Sequence, residues 1–137
     1  YIDNDGNIYP SENQYVPRVM VVSGIGFSID KLGNVYDETY SKTDLPQTFN
    51  LVKEVLNDSY AKNCVRQIHY NKKKNYIFSL NNTNIIVIFG DVNDIGEKLS
   101  KMKHFFDKML GNPELDNYKE INLNYKNQVV CTKIKNK

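Results

Sequence analysis

Tryptophan is absent from the chain, and its 137 residues include just two cysteines, four prolines and seven glycines. A charge excess is missing as well, with 18 basic against 16 acidic side chains. That balance gives no general electrostatic case for nucleic acid or a membrane surface. There is no run of about 18 apolar residues, so nothing reads as a bilayer span. Cys64 and Cys131 permit at most one disulfide, and sequence alone does not fix the Cα separation it needs. Both fall in predicted strands, where cysteine commonly serves as a small buried apolar residue. His69 and His104 do not join them in a zinc-ligand spacing. Gly24 and Gly26 lack the Lys-Ser/Thr pair of a phosphate loop and the third glycine of a dinucleotide fingerprint. Gly-x-Ser-x-Gly, Cys-x-x-Cys and His-Glu-x-x-His are also missing. No nucleophile with a base, no paired carboxylates and no metal cluster emerge. The expectation is a binding protein without cofactor or metal, not an enzyme.

What is present is aromatic and patterned. Ten tyrosines and six phenylalanines serve core and surface. Lysine and asparagine are abundant, which reads as compositional bias. The length suffices for one domain with a hydrophobic core. The chain begins at Tyr1 without methionine or signal segment. It is therefore expected to be a fragment, with any targeting or membrane segment upstream.

Residues 1–9 read as a hairpin around Asn4-Asp5-Gly6. A calcium loop at Asp3, Asn4, Asp5 and Asn7 would need flanking helices that the pattern lacks. Residues 10–17 form an irregular connection. Residues 18–22 make a short strand of buried type, ended by Ser23-Gly24. Residues 27–42 are a turn-rich excursion, with room for a short hairpin of its own. A helix opens at Thr43-Asp44, with capping-box spacing from Asp44 to Gln47 and an apolar stripe of Leu45, Phe49, Val52, Val55 and Leu56. It frays over residues 57–62. Strands over 64–70, 76–80 and 83–89 follow, joined by a solvated basic tip at Lys72-Lys73-Lys74 and a turn at Asn81-Asn82. A second helix is capped at Asn93 or Asp94, with Glu97 in capping-box position. Its apolar face is Ile95, Leu99, Met102, Phe105, Phe106 and Met109, with Lys98, Lys101, Lys103 and Lys108 on or beside the wetted side. Gly111 and Pro113 stop it.

The last stretch, EINLNYKNQVVCTK over residues 120–133, carries the strongest functional signal. Ile121, Leu123 and Tyr125 alternate with Asn122, Asn124 and Lys126. After a turn at Lys126-Asn127, Val129 and Cys131 alternate with Gln128, Val130 and Thr132. This is a hairpin with one buried face. Its second strand lies near the chain end with an open backbone edge, which is either blunted or paired by another chain. The fold class expected is α+β, a mainly antiparallel sheet covered by two amphipathic helices.

YIDNDGNIYP, then RVMVVSGI, a helix, strands ending in IFGD, an amphipathic helix and INLNYKNQVVCTK together resemble the extracytoplasmic β domain of the FtsQ/DivIB cell-division family, Bacteroidetes branch. The likeness covers essentially the whole chain. It implies one β domain over residues 1–137, with a transmembrane segment and a POTRA domain upstream. It also implies a non-catalytic divisome scaffold at the inner membrane, this domain lying in the periplasm. The partners implied are FtsB and FtsL, a segment of FtsB adding as a strand to the last strand. The matching positions are Tyr125, Lys126, Asn127, Gln128, Val129, Val130, Cys131 and Thr132. Tyr125 aligns with the family's partner-contacting tyrosine. The alternative is an envelope enzyme or small-ligand protein with a pocket between helix and sheet.

Overall fold

A computed structural model describes residues 1–10, 19–26, 29 and 31–135. The connection expected over 10–17, apart from Pro10, lies outside these residues, as do Arg18 and Phe27, Ser28 and Asp30 of the excursion. The N-terminal hairpin forms as expected. Asp3 accepts from the backbone N–H groups of Asp5 and Asn7, both at 2.9 Å, and Gly6 takes a φ of +85°. Its second arm, β1 (Asn7–Ile8), joins β2 (Val21–Ser23) and β3 (Gly33–Asn34) as the first strands of the chain. Among the described residues the excursion does not make its own hairpin. β3 pairs antiparallel with β1 instead. The reason is burial: Val35 and Tyr40 pack with Ile8, Leu45 and Phe49 in a small second core.

The main sheet has six strands. β4 (Val65–Asn71), β5 (Asn75–Leu80) and β6 (Ile86–Gly90) form an antiparallel meander at its centre. β7 (Tyr118–Asn122) and β8 (Val130–Lys133) complete the order β2-β4-β5-β6-β7-β8. Three of the five pairings are antiparallel; β2 with β4 and β6 with β7 are parallel. One row of facing residues crosses every strand: Val22, Ile68, Phe78, Val87, Ile121 and Cys131. Ile68, Phe78, Val87 and Ile121 are fully buried. β2 is an edge strand, not the buried strand expected, and Val21, which alternates with the core-facing Val22, is 53% exposed on the other face of the sheet. Cys64 also departs from expectation. It ends a short helix, α2 (Ala61–Cys64), within the region read as fraying and then strand. The Asp58 carboxylate starts that turn by accepting from the N–H groups of Tyr60 and Ala61.

The helices follow from the parallel pairings. Parallel neighbours need a crossover, whereas antiparallel ones need only a turn. α1 (Leu45–Asn57) lies between β2 and β4, and α3 (Ile95–Met109) between β6 and β7. β2, β4, β6 and β7 all run the same way, and both crossovers step the same way along the sheet. Crossovers of one hand then place both helices on one face. Leu51 and Val55 of α1 meet Leu99 and Met102 of α3 in the main core. Leu51, absent from the expected stripe, is fully buried, while Leu56, included in it, is 43% exposed. Helix α1 serves two cores, so its apolar arc is wider than a single stripe. Thr48 Oγ1 also meets the buried Tyr76 hydroxyl at 2.5 Å, tying α1 to β5.

Neither capping box forms. Gln47 Nε2 donates to Asp44 Oδ1, side chain to side chain, and Asp94 sits in the left-handed region at φ 55°. Lys98, expected on the wetted side, is buried. Its ammonium donates to the Asp91 carbonyl at 3.0 Å and Oδ1 at 3.1 Å, 5.1 Å from the Phe89 ring centre. The backbone N–H of Asn93, then this lysine, hold the Asp91 carboxyl below its ordinary value. Its stabilising effect is therefore present above the unfolded carboxyl value and is lost as pH falls through the lowered one. Replacing Lys98 by alanine removes these bonds and the packed stem, so urea unfolding should show a loss of about 1–3 kcal/mol. An unchanged midpoint would mean that the buried ammonium contributes nothing net.

Candidate partner-binding edge

The second parallel pair decides where the chain ends in space. After β6, α3 and a 3-10 turn (Pro113–Asn117) carry the chain over to β7, on the outer flank of β6. A hairpin then folds β8 back antiparallel to β7, leaving β8 last in the sheet. Among the described residues no strand pairs with its outer flank.

The hairpin strands are shorter than the sequence pattern suggested. Leu123 keeps its buried place and its N–H donates to the Ile88 carbonyl at 3.0 Å, yet β7 has ended. The cause is local: Asn122 Oδ1 accepts from both the backbone N–H and the side-chain amide of Asn124, at 2.9 and 2.8 Å. Such an asparagine turn competes with the ladder. Asn124 then packs against Gly90, where φ is +87° and an added Cβ would collide with the Asn124 side chain. Tyr125, Lys126, Asn127, Gln128 and Val129 thus form a connecting loop, not strand. The turn lies at Lys126-Asn127 as expected, with Asn127 at φ 59°.

Val130, Cys131 and Thr132 lie in β8 itself, joined by Lys133, which ends the expected hairpin but is not among the partner-matching positions. Cys131 and Val129 pack against the main core. Val130 and Thr132 sit opposite Asn122 and Glu120. The irregularity in this pair falls on β7, between Tyr118 and Glu120, so β8 keeps a regular alternation. Beyond β8 the Ile134 N–H donates inward to the Asn117 carbonyl at 2.7 Å. Counting back by twos, Thr132 and Val130 also point their peptide groups at β7, and Cys131 and Lys133 point theirs outward. Lys119, Lys126, Lys133 and Lys135 are exposed around this hairpin. Glu120 is the one acidic residue on its strands, 3.8 Å from the Lys74 ammonium.

Lys101 of α3 reaches the loop from the helix side, its ammonium donating to the carbonyls of Leu123 at 2.5 Å and Tyr125 at 2.7 Å. Desolvation pushes that ammonium below its ordinary value, Lys98 adding to the effect while Glu97 and Asp94 oppose it. Sequence spacing placed Lys101 beside the wetted side, and only its length and the loop's position show what it holds.

The interface between helices and sheet is filled: Leu51, Val55, Phe78, Phe89 and Met102 are fully buried. Clefts lie outside it. One, of about 240 Å³, is walled by Lys73, Lys74, Ile88, Glu120 and Asn122. Another, of about 270 Å³, lies between the N-terminal hairpin, β2 and α1, lined by Ile2, Met20, Val22, Leu45 and Phe49. The carboxylate in the second, Asp3, is committed to its own hairpin. Among the described residues a serine and a histidine meet that are 46 apart in sequence, so spacing gives no sign of the pair. Ser23 Oγ lies 2.8 Å from His69 Nδ1, and Gln67 Nε2 donates to the same hydroxyl at 3.0 Å. An amide supports the serine where a hydrolase would have an acid orienting the histidine. Among the described residues no three His, Cys, Asp or Glu side chains gather to hold a metal ion.

A family model described as FtsQ/DivIB, C-terminal related, matches residues 1–132. The chain belongs to that family. A search of curated proteins finds no match. The FtsQ/DivIB family comprises non-enzymatic, membrane-anchored division scaffolds with a periplasmic domain. Among the described residues no helix is long and apolar enough to cross a membrane.

Both cysteines are free thiols. Burial pushes Cys64 up to about 11, Asp58 adding to it, and raises Cys131 as well. At pH 8 the Cys64 thiolate is therefore scarce, and alkylation should run about a hundredfold slower than for an unstructured thiol, accelerating as pH rises toward 11. Equal rates for Cys64 and a free thiol at pH 8 would contradict its burial.

Proposed function

We propose that residues 1–137 form one FtsQ-type β domain, a non-catalytic divisome scaffold that takes a strand of a partner division protein on the β8 edge. The partner is of the FtsB and FtsL kind. The domain works on the periplasmic side of the inner membrane, anchored by a segment upstream. Family membership supports the division role and the location. The observation that carries the binding mode is the position of β8, last in the sheet, with the peptide groups of Cys131 and Lys133 directed outward.

Strand addition draws its affinity from such main-chain groups, and side chains set selectivity. Val130 and Thr132 would line one face of the extended sheet. Tyr125, 47% exposed in the loop before β8, would meet the partner's flank together with Lys126, Asn127, Gln128 and Val129. The lysines around the hairpin favour a partner segment carrying acidic side chains, with association weakening as salt rises.

Proline substitution separates the two flanks of β8. Lys133→Pro removes an outward N–H and leaves the internal ladder intact, so the circular dichroism spectrum should be kept. Binding of the purified periplasmic segment of the FtsB-like partner should weaken by about tenfold or more. Thr132→Pro removes an inward bond and should lower stability before any partner is added. Tyr125→Ala should weaken binding without unfolding. Wild-type binding by a folded Lys133→Pro variant would refute the proposed mode.

A further inference from the structure

We propose that Lys101 is a positioning residue, a latch from α3 that holds the loop of residues 123–129 and so sets the geometry of the open β8 edge; this rests on the edge reading above.

The chain is fixed up to Asn124 and again from Val130. Leu123 is buried with its N–H on the Ile88 carbonyl, and Asn124 sits against Gly90. From Val130 the β7 ladder resumes. In between, the backbone of residues 125–129 makes one hydrogen bond of its own among the described residues, from Gln128 N–H to the Tyr125 carbonyl at 3.4 Å. That is beyond the usual range for such a bond. The Lys101 ammonium bridges the gap by donating to the carbonyls of Leu123 and Tyr125. Charge-assisted donors are stronger than neutral ones. Its targets are backbone atoms, so no side-chain change in the loop replaces what it supplies.

Lys98 stands three residues earlier on the same helix and donates to the Asp91 carbonyl just beyond β6. Lys101 does the same just beyond β7. Two neighbouring lysines of α3 therefore clamp the carbonyl ends of the parallel pair, and the second continues into the loop that delivers β8. Both belong to a face that polarity alone assigns to solvent. The position of the edge is thus coupled to the helix behind the sheet.

Limited trypsin digestion tests the latch without any partner. Lys126 is exposed inside the loop. Cleavage after it should be slow in the wild type and about tenfold faster in Lys101→Met, while Lys101→Arg, which keeps a charged donor, should stay near wild type. Lys98→Met is the control: it should raise cleavage at all sites together, with no preference for Lys126. A folded Lys101→Met protein nicked at Lys126 at the wild-type rate would overturn the latch, and so would an increase shared equally by every site. In the wild type, the Lys101 ammonium should also give a persistent nitrogen-15 signal near neutral pH, because its protons are held by two carbonyls. Exchange as fast as that of surface lysines would overturn the proposal even if the variant fails to fold. Because neither readout contains a partner, failure here leaves strand addition standing, and failure of the Lys133→Pro experiment leaves the latch standing.

Discussion

The parallel pairing of β6 with β7 is the constraint on which the rest depends. Two parallel neighbours cannot be joined by a turn, so a helix must carry the chain back across one face before β7 begins. Helix α3 is that connection. Its apolar side closes the core, and its lysines reach the carbonyl ends of the strands it connects. The hairpin that follows can only be added on the outside. An antiparallel pair instead of this parallel one would need no such crossover. The edge at β8 is therefore a consequence of topology before it is a matter of side chains.

The sheet is held in register by the row from Val22 to Cys131, one side chain per strand, all on the helix-covered face. A slip of one residue in β8 would turn Val129 and Cys131 out of the core, so burial fixes which peptide groups face outward. An open edge is also a hazard for unwanted pairing. Here it is short, four residues, flanked by Lys119, Lys126, Lys133 and Lys135, and its partner strand carries an irregularity. Those are familiar ways to blunt an edge, and they favour an oppositely charged strand over a second copy of the same basic one.

Much of this was legible in the sequence, and the failures have physical causes. The hairpin turns, the central meander and α3 followed from glycine and asparagine positions and from apolar period. The C-terminal hairpin and its turn at Asn127 follow from the pattern, but the pattern makes its strands longer than they are. Tyr125 continues the alternation in the sequence, and the Asn122–Asn124 turn that ends β7 is a side-chain hydrogen bond that pattern does not report. Pattern puts Lys98 and Lys101 on or beside the wetted side, yet polarity predicts exposure only when nothing waits for the ammonium; here strand-end carbonyls do. β2 looked buried because Val-rich strands usually are, yet composition does not say which strand is outermost. The parallel pairings, and hence the order of strands, rest on contacts between segments far apart in the chain, which local pattern cannot show.

Amide hydrogen exchange along residues 130–134 tests the central claim most directly, read alone and again with the purified periplasmic segment of the partner. Alone, the N–H groups of Thr132 and Ile134 should exchange slowly, and those of Cys131 and Lys133 quickly. With the partner present, Cys131 and Lys133 should become protected while their neighbours change little. If Cys131 and Lys133 are already protected in the free protein, or stay fast in the complex, the outer flank of β8 is not where the partner's backbone pairs.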